Sequence, residues 1–144
     1  MPEVDEVPLY TAAEVREMDR AAIEAEGFSG YTLMCRAGAA LAKYTASAWP
    51  QARKVCVLCG PGNNGGDGYV LGRLLQENGR EVVLLALCGI SDLRGDARQA
   101  ADDYVAAGGC VENFAGELPP DADLLVDALL GTGLARAVEG DYLR

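Results

Sequence analysis

At 144 residues, half of them hydrophobic and 24% charged, the chain has the make-up of one globular domain with room for a core. A formal net charge of -10 repels phosphate backbones and anionic lipid at long range, which argues against nucleic-acid or membrane-surface partners. An anionic ligand would have to be held by backbone N–H groups, a bound cation or a few placed basic side chains, so a small ligand in a shaped site is expected.

Residues 1–10 are polar, carry two prolines and read as a loose arm. Thr11-Ala12-Ala13-Glu14 reads as a capping box, with Val15, Met18, Ala22 and Ile23 at helical spacing until Gly27. A second helix is expected over 31–48, its apolar face formed by Leu33, Met34, Ala37, Leu41 and Tyr44, with Pro50 beyond its end. From Lys54 onward strands and helices alternate, the pattern of a parallel sheet with crossover helices. Strand 54–59 leads through a glycine loop into helix 67–78, capped by Gly79. Strand 81–87, helix 95–107, short strand 110–113 and strand 123–129 follow. The apolar run Leu124-Leu125-Val126 predicts that the last strand is central and buried on both faces. Residues 140–144 read as the start of a further helix, and a series stopping there is expected to be an incomplete domain.

The 5 cysteines are odd in number and scattered, which suits a reduced cytoplasmic setting. Cys56 and Cys59 form a C-x-x-C, but a three-residue offset on a strand sends them to opposite faces, so both are expected in the core. The absence of His removes the commonest general base and metal ligand. No apolar run reaches the ~20 residues of a membrane span.

Ligands of open parallel sheets bind beyond the carboxyl ends of the strands, and two loops qualify. The first, Gly60-Pro61-Gly62-Asn63-Asn64-Gly65-Gly66-Asp67-Gly68, is expected to allow left-handed backbone and close ligand approach, with Asp67 as a helix N-cap. It contains G-x-G-x-x-G, yet no acid ends the next strand at Leu87-Cys88-Gly89, which disfavours a plain dehydrogenase, and no Gly-Lys-Ser/Thr follows. The second loop runs from Asp127 to Ala137. Its aspartate ends an apolar strand, where a carboxylate is paired, metal-bound, catalytic or caps a turn. Asp127 is expected near Asn64 and Asp67, and oxygen ligands of this kind suit a hard cation. Arg136 is the only basic residue in either loop and the natural phosphate contact.

These two loops, together with Glu14-Val15-Arg16-Glu17-Met18-Asp19 and Leu33-Met34-Cys35-Arg36-Ala37-Gly38, resemble the NAD(P)H-hydrate epimerase family, or YjeF N-terminal domain, across nearly the whole chain. The resemblance implies a Rossmann-like three-layer α/β/α fold with a mostly parallel sheet, and interconversion of the R and S epimers of hydrated NADH or NADPH. It also implies one potassium ion held by Asn64 and Asp127, and a dehydratase partner, fused or separate. It is compatible with a homodimer. Substrate contacts would come from Asn63, Asn64, Gly65, Gly66 and Asp67, from Gly131, Thr132, Gly133, Leu134, Ala135, Arg136 and Ala137, and from Tyr142. Asp127 would transfer a proton or support the cation. Cys35 stands where the family commonly has a glutamate. The family's Asp-x-Pro-Ser-Gly segment, source of a further substrate aspartate and a potassium-binding serine, has no counterpart before Arg144. The alternative expectation is a non-catalytic nucleotide-binding or scaffold module of the same fold.

Overall fold

A computed structural model describes residues 7–143; the expected arm lies partly outside it, and within it Val7 and Leu9 are exposed and form no regular element. Helix α1 (Ala12–Glu26) opens with the expected capping box, in which Thr11 Oγ1 accepts from the Glu14 amide and the Glu14 carboxylate accepts from the Thr11 amide. Its apolar positions are not a core face. No residue of α1 is buried, and Val15, Met18 and Ile23 are all exposed.

Helix α2 (Gly30–Ala48) buries Met34, Gly38, Ala42 and Thr45, a stripe turned from the expected one, while Leu41 and Tyr44 face solvent. Gly38 decides that rotation. A Cβ there would stand 2.4 Å from Val70 Cγ1, so the missing side chain lets the next helix lie against α2 on this side.

Strands β1 (Lys54–Cys59), β2 (Glu81–Ala86), β3 (Val111–Asn113) and β4 (Leu124–Ala128) form one parallel sheet in the order β3-β2-β1-β4. The crossovers are α3 (Asn63–Glu77), between β1 and β2, and α4 (Gly95–Ala106), between β2 and β3. The α/β class and parallel sheet are as expected. Helices α2, α3 and α4 pack on one another, and α3 lies on the face bearing Val55, Val57, Cys59, Leu84 and Ala128. Cys56, on the opposite face, is fully buried, so both cysteines of the C-x-x-C are packing residues.

Strand β4 departs from expectation: among the described residues it is an edge strand, not a central one. Its burial alternates, with Leu124 and Val126 against the core and Leu125 49% exposed on the other face. An apolar run does not by itself distinguish one covered face from two. The strand is pinned to β1 at its start, where Asp123 Oδ2 accepts from the Arg53 and Lys54 amides at 2.8 Å each. Residues 140–143 form a single 3₁₀ turn.

Helix α3 starts at Asn63, four residues earlier than expected, with Gly62 rather than Asp67 as N-cap and no side-chain cap. None of the loop glycines has positive φ. Their role is steric: a Cβ on Gly65 would stand 1.9 Å from the Gly60 carbonyl oxygen, and one on Gly60 would stand 1.9 Å from that of Leu129. Gly65→Ala is therefore expected to lower unfolding free energy in urea by about 2–3 kcal/mol, the cost of overpacking against backbone. Gly133→Ala, whose Cβ meets nothing within 4 Å, should stay within about 0.5 kcal/mol of wild type.

Candidate functional site

The β1–α3 and β4 loops leave neighbouring parallel strands at their carboxyl ends, so strand pairing alone places them side by side. Two contacts join them. The Gly60 amide donates to the Ala128 carbonyl at 3.0 Å, and Asn64 Nδ2 donates to the Leu130 carbonyl at 3.1 Å. The first helical hydrogen bond of α3 runs from the Gly66 amide to the Gly62 carbonyl, so the amides of Asn63, Asn64 and Gly65 have no acceptor within the helix.

Between the loops lies a cavity of ≈ 590 Å³, lined by Pro61, Gly62, Asn63, Asn64 and Asp67 from the first and by residues 129–134 from the second. Helix α1 supplies the remaining wall with Arg16 and Asp19, and Arg16 Nη1 donates to the Thr132 carbonyl at 3.2 Å. A second cavity of ≈ 50 Å³ adjoins it, shares Leu130 and Leu134, and is lined further by Arg136, Ala137 and Tyr142.

Of the residues singled out in the sequence, Asn63, Asn64, Asp67, Gly131, Thr132, Gly133 and Leu134 line the larger cavity. Gly65 and Gly66 are buried behind it, where a Cβ on Gly66 would meet Met34 Sδ at 2.6 Å, so only their backbone can serve a ligand. Ala135 is exposed and lines neither cavity. Arg136 belongs to the smaller one, and the larger takes its cation from Arg16 instead. Asp127 also stands outside the lining; its Oδ1 accepts from the Leu129 amide at 3.0 Å, a cap on its own loop. Cys35 packs against the core away from the cavity.

Arg16 and Asp19 belong to a segment that carries the family resemblance, but nothing in the sequence assigned them to the site. They sit on a helix whose periodicity suggested burial, and only tertiary placement brings them to the strand ends.

The electrostatics centre on Asp67, a half-buried carboxyl: burial and, secondarily, the charge of Asp19 push it up to about 6. Burial likewise raises the Tyr142 phenol.

The family described as YjeF-related protein N-terminus matches residues 30–144. The chain belongs to this family. It is 44% identical over 129 residues to a protein of Escherichia coli named Bifunctional NAD(P)H-hydrate repair enzyme Nnr, covering 90% of this chain and 25% of that protein. To the NAD(P)H-hydrate epimerase of Rhodobacter capsulatus it is 42% identical over 139 residues, covering 92% of this chain and 66% of the relative. The chain thus spans about a quarter of the bifunctional relative's length and less than two thirds of the epimerase's. A yeast protein of known crystal structure shares the fold, with a TM-score of 0.80 at 23% identity over 92% of this chain and 60% of its own. No helix among the described residues is long and apolar enough to cross a membrane.

A carboxyl whose folded pKa lies near 6 binds its proton more tightly in the native state than the ordinary 3.8 allows. Native stability is then greatest below about pH 4 for this group and falls as pH rises toward 6 and beyond. Relative to Asp67→Asn, the wild-type protein is expected to lose about 1 kcal/mol between pH 4 and 7, after discounting for its solvent access. Urea unfolding of both proteins across that range checks it; parallel profiles would contradict the buried-carboxyl assignment.

Proposed function

We propose that this chain is an NAD(P)H-hydrate epimerase unit, interconverting the R and S epimers of hydrated NADH and NADPH. The observation that carries the reading is the single cavity formed jointly by the two loops that bear the family motifs. The names of the Rhodobacter capsulatus and Escherichia coli relatives support the substrate class.

In this reading Asn63, Asn64, Asp67 and the 131–134 turn contact the nucleotide directly, and Gly65 and Gly66 contact it through backbone. Ala135, Arg136, Ala137 and Tyr142 extend the contact toward the smaller cavity. The epimerised carbon bears a hydroxyl beside the ring nitrogen, so ring opening or loss and return of water needs only modest acid–base help. Asp127 supplies it. One carboxylate oxygen is fixed by the Leu129 amide, which orients the group and leaves one other oxygen, either to exchange the proton itself or to hold the cation that supports the exchange.

Potassium fits the donor set by its chemistry. Asn64 donates through its nitrogen to Leu130, which turns its amide oxygen away from that carbonyl, and Asp127 has one oxygen beyond its own cap. Oxygen donors such as an amide carbonyl and a carboxylate suit a hard cation. When bound, the ion supplies positive charge beside an anionic ligand. A dehydratase, fused or separate, completes the repair in the cytoplasm, and the unit can work as a homodimer.

Mixing the full-length protein with R-hydrate and following the S epimer tests the activity. Asp127→Ala is expected to slow it about a hundredfold or more; an unaltered rate would remove Asp127 from the chemistry, and no acceleration by wild type would end the epimerase reading. Replacing potassium by choline should weaken hydrate binding to wild type yet add nothing in Asn64→Ala, as measured by titration calorimetry.

A further inference from the structure

The larger cavity is poor in positive charge. Two carboxyl groups, Asp19 and Asp67, line it, and Arg16 is its one cationic side chain among the described residues. The chain's net charge of -10 offers no basic field to make up the difference. Among the side chains lining this space, an anionic ligand meets positive charge at Arg16.

Arg16 is also prepared for that role. Three other arginines, Arg20, Arg73 and Arg98, are engaged by carboxylates of their own helices. Among the described residues Arg16 forms no ion pair, and its one hydrogen bond, to the Thr132 carbonyl, holds the guanidinium over the second loop. A guanidinium has five donors, so most of its fork remains for a ligand. The unpaired amides of Asn63 and Asn64 belong to residues lining the same space. Arg136, the other basic residue near the loops, lines the adjoining smaller cavity and not this one.

We propose that Arg16, on α1, is a specificity-determining residue that binds the pyrophosphate of the nucleotide and so ties α1 across the site. This rests on the nucleotide reading above and adds to it a residue from outside both motif loops. The planar fork suits two phosphate oxygens at once, which a lysine cannot match. Since no residue of α1 is buried, the side chain can be changed without cost to the core.

The test uses the full-length protein and two probes: ADP-ribose, which carries the pyrophosphate without nicotinamide, and adenosine, which carries neither. Arg16→Gln is expected to weaken ADP-ribose binding about 30-fold, the loss of charge-assisted hydrogen bonds. Adenosine binding and the thermal midpoint should not change, and Arg16→Lys should recover only part of the loss. Equal binding of ADP-ribose by wild type and Arg16→Gln would overturn the proposal. So would an equal loss for adenosine, absence of ADP-ribose binding to wild type, or a loss in Arg136→Gln with none in Arg16→Gln. Epimerase activity is followed separately: Arg16-dependent ADP-ribose binding without hydrate turnover would keep the anion site and discard the epimerase reading. Turnover with unchanged KM and ADP-ribose affinity in Arg16→Gln would do the reverse.

Discussion

Backbone contact at the carboxyl ends of β1 and β4 is the constraint from which the site follows. Gly60 lies so close to the Leu129 carbonyl, and Gly65 so close to the Gly60 carbonyl, that neither position has space for a single carbon atom. Further along α3 the same closeness recurs: a Cβ on Gly68 would stand 2.8 Å from both Ala128 Cβ and Cys59 Sγ. Glycines are unfavourable in a helix, by roughly 1 kcal/mol each relative to alanine. The chain tolerates several in α3 because they let the helix settle directly on the strands.

That settling has a functional consequence. A helix whose first turn rests on the strand ends presents its unpaired amides at the mouth of the sheet, and Asn64 from that turn reaches the Leu130 carbonyl across the gap. The two loops are thereby held at one spacing, and the cavity between them is their common product. Glycine here serves packing first, and ligand access follows from it.

Much of this could be read before the fold was known. The alternation of strands and helices, the capping box at Thr11, strand 54–59 and the adjacency of the two loops all rest on local pattern or on the pairing rule for parallel sheets, and they appear as expected. Where the reading missed, tertiary packing had overruled a local preference. Helix α3 begins at Asn63 because contact with the sheet outweighs the turn-forming tendency of Asn-Asn-Gly-Gly. Helix α2 turns its Gly38 side inward because a missing side chain admits Val70, which no hydrophobicity count registers. The edge position of β4 and the approach of Arg16 and Asp19 to the strand ends depend on distant segments, and a local window contains neither.

The placement of charge then becomes intelligible as a division between two kinds of support. The sheet-anchored loops offer backbone amides and Asn64, groups fixed by hydrogen bonds and close packing. Helix α1, with nothing buried, offers Arg16, the one cationic side chain lining the larger cavity among the described residues, held by a hydrogen bond to the Thr132 carbonyl. Rigid dipoles discriminate by geometry, because displacing them would break the packing that holds them. A charge on a lightly held helix attracts an anion from a wider range of positions, but it contributes most once ligand and helix have closed on each other and water has left. An acidic protein can thus bind an acidic ligand without a basic surface, provided that an arginine outside any ion pair among the described residues, here Arg16, lines the same cavity as the first-turn residues of α3.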